Sequence, residues 1–142
     1  MSLYRILFVC AHNSGRSQMA EAILKRLGGD RFEVESAGLE PKEINPLVLE
    51  VMKEDGYDLS GQQADSVFVF FKEGRLYDYV ITVCDKETED KCPLFPGVRK
   101  RMNWPFPDPE KLEGSYDEKL EGTRKIRDAI KARIEEWIRE VA

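Results

Sequence analysis

The sequence predicts one α/β domain spanning residues 1–142, a three-layer fold with a four-stranded parallel sheet flanked by helices. Three observations predict it. Strand-length apolar runs alternate with stretches of helical period along the whole chain. Two of the runs, Arg5-Ile6-Leu7-Phe8-Val9-Cys10 and Tyr79-Val80-Ile81-Thr82-Val83-Cys84, are almost continuously apolar, as strands buried on both faces are. Finally, 142 residues suffice for one core, and no internal repeat, low-complexity tract or linker divides them.

The first strand ends at Cys10, and a loop follows. From Ser17 the apolar residues fall at Met19, Ala20, Ile23, Leu24 and Leu27, the three-and-four spacing of one helix face, which Gly28-Gly29 stops. Phe32 to Ser36 alternates as a second strand, broken by Ala37-Gly38 and Pro41. Leu47, Val48, Val51 and Met52 mark a second helix, with Asn45 as N-cap and Pro46 at its first position. Ser60 to Arg75 is ambiguous: Val67-Phe68-Val69-Phe70-Phe71 fits a strand or a short buried helix, and is assigned as helix. Tyr79–Cys84 is the third strand, Arg99 to Trp104 the fourth. Asp117 to Val141 is a long amphipathic helix carrying Ile126, Ile130, Ile134, Trp137 and Ile138. In a parallel sheet active sites gather at the carboxyl ends of strands, and Cys10 and Cys84 each end a predicted strand.

Composition narrows the function. A net charge of -5 with 35% charged residues disfavours a polyanionic partner, so no nucleic acid is expected. No apolar run approaches the roughly 18 residues of a membrane span, and Met1-Ser2-Leu3-Tyr4-Arg5 does not open a signal segment, so a cytoplasmic protein without membrane contact is expected. Three cysteines cannot all be paired within one chain, which leaves at least one thiol for chemistry or for the core.

The loop Cys10-Ala11-His12-Asn13-Ser14-Gly15-Arg16-Ser17 carries the chemistry. A loop folded over a helix N-terminus turns backbone N–H groups inward, and with the helix dipole they form an anion site. Gly15 admits backbone angles closed to other residues. Arg16 can clamp two oxygens of a tetrahedral oxyanion at once. The same field favours the Cys10 thiolate, and Ser17 can donate a hydrogen bond to its sulfur. A cysteine that ends a buried strand is often only a small hydrophobe in a core. Strand, Cys-x5-Arg-Ser and helix in succession point instead to a nucleophile. His12, the lone histidine, is read as a surface residue of the loop. Asp108 before Pro109 is on its own a turn or helix-entry residue.

The chain resembles the low-molecular-weight protein tyrosine phosphatase superfamily, and within it the thioredoxin-coupled arsenate reductases, over nearly its whole length. Val9-Cys10 to Glu21 is similar to the phosphate loop and first helix, Ser36-Ala37-Gly38 to the end of the second strand. Thr82-Val83-Cys84 through Lys91-Cys92-Pro93 is similar to the reductases' redox segment, and Trp104 to Asp108-Pro109 to the stretch with the catalytic acid. Gln18 stands where the phosphatases usually carry proline. The resemblance implies a low-molecular-weight phosphatase-like fold and a relay in which Cys10 attacks arsenate, Cys84 displaces arsenite, and Cys92 resolves the Cys10–Cys84 disulfide. Thioredoxin then reduces Cys84–Cys92. It also implies that Asp108 protonates the departing oxygen, that Ala11 to Arg16 bind arsenate, phosphate or sulfate, and that the protein is a monomer without a required cofactor. Asn13, Glu21, Ser36 and Asp65 match the family's potassium site. Taken singly, Glu21 reads as a solvated helix charge and Asp65 as a helix cap.

Some residues depart from the family pattern. Seven residues separate Cys84 from Cys92, one more than expected; Gly15 replaces a cysteine found in many relatives; Ala11-His12 replaces a smaller residue near the loop apex. The polar run Asp85-Lys86-Glu87-Thr88-Glu89-Asp90-Lys91 is expected to be a loop that carries the second disulfide to the surface. Two other functions stay open: a phosphatase with a Cys10 phosphocysteine intermediate, for which Cys84 and Cys92 are idle, and a non-catalytic oxyanion-binding module. Cys10, His12, Cys84 and Cys92 are enough ligands for zinc, but Cys10-x-His12 lacks the usual structural spacing.

Overall fold

A computed structural model describes residues 3–141. Strand β1 (Tyr4–Cys10) leads into α1 (Arg16–Gly28), and a 3-10 turn at Gly29–Arg31 feeds β2 (Phe32–Gly38). Helices α2 (Pro46–Glu54) and α3 (Val67–Lys72) precede β3 (Tyr79–Thr82). Then come α4 (Lys86–Asp90), β4 (Lys100–Asn103), a 3-10 turn at Pro109–Lys111 and α5 (Tyr116–Val141). The four strands lie in the order β2-β1-β3-β4 and every pair is parallel.

Parallel pairing brings the carboxyl ends of the strands to one edge. Cys10 pairs with Gly38, and Val9 with Thr82, so the end of β1 is flanked by the ends of β2 and β3. Alternation along β1 divides the core. Ile6, Phe8 and Cys10 pack with α1, α2 and α5, including Met19, Val51, Ile134 and Trp137. Leu7 and Val9 pack on the other face with Val67, Phe70, Tyr77 and Phe95. Both faces of β1 are therefore covered, which explains its unbroken apolar sequence.

The capping expected at α2 is present: the Asn45 side chain accepts from Leu47 N at 2.9 Å. Val67-Phe68-Val69-Phe70-Phe71 is helical, because Ser66 accepts from the amides of Phe68 and Val69 and starts a turn that a strand could not use. The cap of α3 is Ser66, not Asp65. The third and fourth strands are shorter than their apolar runs. β3 stops at Thr82, which leaves Cys84 two residues past the strand, and β4 spans Lys100–Asn103. The run after Cys84 is not a loop throughout. Asp85 accepts from Thr88 N at 2.8 Å and caps the single-turn helix α4.

Candidate active site

Asn13 organises the loop. It is fully buried and holds a left-handed backbone with φ 52°, a conformation that asparagine tolerates better than most residues. Its Nδ2 donates to Ser17 Oγ at 2.7 Å and to Ser36 Oγ at 2.9 Å. Its Oδ1 accepts from Asp65 N at 2.9 Å and Gln18 Nε2 at 3.1 Å. All four bonding positions of the amide are thus used, and the loop is tied to α1, β2 and the entry to α3. Gly38 permits the close approach: a Cβ there would lie 2.6 Å from Asn13 N.

Cys10 sits under this loop with its Sγ 2.8 Å from Ser17 Oγ and accepting from Asn13 N at 3.2 Å. Either atom can donate in the contact with Ser17; with Asn13 Nδ2 donating to Ser17 Oγ, the hydroxyl proton is free to point at the sulfur. Helix α1 begins directly behind, with Gly15 at its N-cap position and no side chain bonded to its first amides. Those N–H groups and the helix dipole face the mouth of the loop.

Arg16 is 7% exposed. Its guanidinium donates to the Phe106 carbonyl at 3.0 Å and lies 3.6 Å from Asp108 Oδ2. Asp108 also caps the following 3-10 turn, accepting from Glu110 N at 2.9 Å. Besides capping the turn, Asp108 lines the same cleft as Cys10, His12, Ser14, Gly15 and Arg16. Asn45 and Glu110 line the cleft too, and sequence reasoning missed them as site residues. Ser14 Oγ donates to Glu110 Oε1 at 3.2 Å, and Asn45 N donates to the Ser14 carbonyl at 2.8 Å. The only local signal for Glu110 was its closeness to Asp108. The cleft holds about 10 Å³, room for about one water. His12 stands at the rim, its Nδ1 3.0 Å from the Glu40 carbonyl. Ala11 fixes the adjoining segment through its carbonyl, which accepts from Glu40 N at 2.8 Å.

The other two thiols are buried, and they lie on different faces of the sheet. Cys84 shares the core of Cys10, with its Sγ 3.9 Å from the Val9 carbonyl. Cys92 packs on the α3 side with Val67, Tyr77 and Phe95. Burial pushes the Cys84 thiol up to about 12, helped by the neighbouring Cys10 and opposed by Arg16. Burial pushes Cys92 up to about 11, opposed by the Arg101 cation. Both are therefore neutral thiols near pH 7 in this arrangement.

Glu21, Ser36 and Asp65 line one cavity of about 270 Å³ together with Gln18. Ser36 Oγ donates to Glu21 Oε1 at 2.5 Å, and Lys25 Nζ meets Glu21 Oε2 at 2.5 Å. Glu21 is thus bonded and largely covered, not a free solvated charge. Asp65 is raised from its ordinary value by burial, against the pull of Arg75. Two carboxylates and a hydroxyl are oxygen donors suited to a hard cation. Asn13, by contrast, turns its nitrogen toward Ser36 and spends its oxygen on Asp65 N and Gln18. Among the described residues no three His, Cys, Asp or Glu side chains converge as a metal site, so Cys10, His12, Cys84 and Cys92 do not form a zinc set.

Known proteins are similar to this chain in sequence and fold. The family model for low molecular weight phosphotyrosine protein phosphatase matches residues 5–142. The arsenate reductase of Shouchella clausii strain KSM-K16 is 41% identical over 137 residues, which cover 96% of this chain and 96% of that protein. Of solved structures, an arsenate reductase in the phosphate binding state gives a TM-score of 0.80 at 33% identity, covering 99% of this chain and 100% of the other. A thioredoxin-dependent arsenate reductase from Corynebacterium glutamicum gives 0.75 at 33% identity, covering 99% of this chain and 62% of that one.

Proposed function

The chain belongs to the low molecular weight phosphotyrosine protein phosphatase family, and from that premise we propose that it reduces arsenate to arsenite through a relay of Cys10, Cys84 and Cys92. The observation that carries the reading is the position of Cys84. A phosphatase needs no second thiol, yet Cys84 is packed in the core of Cys10 and against the carbonyl of the residue before it.

The steps balance as follows. The Cys10 thiolate attacks arsenic, an S–As bond forms, and one arsenate oxygen leaves as water with a proton from Asp108. Arg16 and the first amides of α1 stabilise the oxyanion. Cys84 gives up its proton and attacks Cys10 Sγ. The S–S bond forms, the S–As bond breaks, and its electron pair reduces arsenic(V) to arsenic(III). Cys92 then attacks Cys84, the Cys84–Cys92 bond replaces Cys10–Cys84, and Cys10 leaves as a thiolate. An external dithiol of the thioredoxin type reduces the last disulfide. Since Cys92 rests on the other face of the sheet, the resolving step requires the segment around α4 to move. Glu21, Ser36 and Asp65 would hold a potassium ion, which would supply a fixed positive charge near the loop.

Phosphate-ester hydrolysis is the second reading, because Cys10, Arg16 and Asp108 already lie together and that reaction needs no movement of Cys92. One experiment separates the two. Cys92→Ser should release one arsenite per enzyme and stop as a Cys10–Cys84 disulfide, whereas Cys84→Ser should release almost none. Both should retain any aryl-phosphate hydrolysis of the parent. Single-turnover arsenite release with disulfide mapping by mass spectrometry reads this; sustained arsenate turnover by Cys84→Ser with thioredoxin as sole reductant would sink the relay, and aryl-phosphate hydrolysis with no arsenite from the parent would put the phosphatase reading first.

A further inference from the structure

We propose that Arg101 is a positioning residue which latches the Cys84–Cys92 segment in its resting register, and that breaking this latch admits the Cys92 sulfur to Cys84; the inference deepens the relay reading and rests on it. Helix α4 cannot hold itself. It is five residues long, below the length at which a helix persists in water, and none of its residues is buried. Its hold on the protein comes from β4. Arg101 and Asn103 alternate along that edge strand with Met102, which packs toward the Cys10 core.

Asn103 secures the start of the segment. Its Nδ2 donates to the Cys84 carbonyl at 2.9 Å and to Thr82 Oγ1 at 2.8 Å. Arg101 secures the end. One guanidinium nitrogen donates to the Glu89 carbonyl at 2.6 Å and the other reaches the Cys92 carbonyl at 3.5 Å. The Glu89 carbonyl also accepts from Cys92 N at 3.0 Å, so the guanidinium bridges both ends of the turn that carries Cys92. The Glu89 side chain adds one tie, accepting from Thr82 Oγ1 at 3.3 Å. A carbonyl oxygen has two lone pairs, so the Glu89 carbonyl can accept from Cys92 N and from the Arg101 cation together.

The bridge opposes the resolving step. For the Cys92 thiolate to attack Cys84, forming Cys84–Cys92 and releasing Cys10 as a thiolate while the Cys92 proton passes to water, the turn from Glu89 to Cys92 must come off Arg101 and leave the α3 face. The cation also draws the buried Cys92 thiol down toward ionisation. Arg101 therefore keeps Cys92 on the α3 face for as long as the bridge holds, and Asn103 holds Cys84 in place as the segment swings.

Two variants test this. Arg101→Met removes both bridge and charge. Arg101→Lys keeps the charge but cannot span two carbonyls. In the reduced protein, amide exchange across residues 86–92 should rise about tenfold or more in Arg101→Met and by less in Arg101→Lys, with β1 and α1 unchanged. In single turnover, Arg101→Lys should convert Cys10–Cys84 to Cys84–Cys92 several-fold faster, at an unchanged rate of Cys10–Cys84 formation. A merely structural arginine would loosen the segment without shifting the balance between the two disulfide steps. Unchanged exchange at 86–92 in Arg101→Met, or an unchanged conversion rate in Arg101→Lys, overturns the latch. The exchange measurement needs no arsenate, so failure to form any Cys10–Cys84 disulfide counts against the reductase reading alone.

Discussion

At the scale of single residues, the Cys10 sulfur is set by two contacts, Ser17 Oγ at 2.8 Å and Asn13 N at 3.2 Å from it. Ser17→Ala removes the one that donates from a side chain and leaves Asn13 Nδ2 bonded to Ser36. A hydrogen bond to a charged group is worth about 1.5–3 kcal/mol, so alkylation of Cys10 by iodoacetamide near neutral pH should slow by roughly 10- to 100-fold. Peptide mapping of the alkylated cysteine checks it, and an unchanged rate would mean that the hydroxyl does not support the thiolate. Cys10→Ser should abolish arsenate reduction while phosphate binding, measured by calorimetry, persists within a fewfold, because the cradle is Arg16 and backbone.

At the scale of elements, the loop depends on how closely β2 approaches it. Gly38 pairs with Cys10, and a methyl group there would meet backbone, 2.6 Å from Asn13 N and 2.7 Å from the His12 carbonyl carbon. Backbone yields less readily than a side-chain tip. Gly38→Ala should cost about 1–3 kcal/mol in stability, the usual range for overpacking, and should weaken phosphate binding because Asn13 is displaced. Thermal melts beside phosphate titration read both quantities, and a variant with normal melting and normal binding would show the approach to be dispensable. α4 marks the opposite extreme, an element with no buried residue, held by hydrogen bonds that the proposed relay would have to undo.

At the scale of the whole molecule, two neutral thiols buried on opposite faces of the sheet make stability depend on pH. Cys84 is pushed up to about 12 and Cys92 to about 11 from an ordinary value of 9.0. A group whose folded pKa is raised contributes its stability below the unfolded value and loses it as pH rises toward the folded value, because the unfolded chain gives up the proton first. The loss should run from about pH 9 to pH 11–12. Melting temperatures of the parent should fall over this range, and Cys84→Ala and Cys92→Ala should each flatten the fall. Parallel curves for parent and variants would show that neither thiol contributes to it.

The sequence alone determined the strand, loop and helix that carry Cys10, because those signals are local: a continuous apolar run, a cysteine and an arginine with five residues between them, and a helix of clear period. The parallel sheet and the approach of Cys84 to Cys10 followed from the alternation of elements. Asp108 was legible as a site residue through family resemblance and not through its own neighbours. Other features belonged to the tertiary structure. Asn45 at the cap of α2 and Glu110 in the 3-10 turn reach the cleft from positions distant in sequence, Glu21 is covered by its bond to Ser36, and Cys92 rests on the face opposite Cys84. The latch was hidden too, for Arg101 looks like any polar residue of an edge strand until β4 is placed beside α4. Local sequence specifies period and capping, whereas the face a side chain occupies and the partner it meets depend on strand register, which only the packed sheet decides.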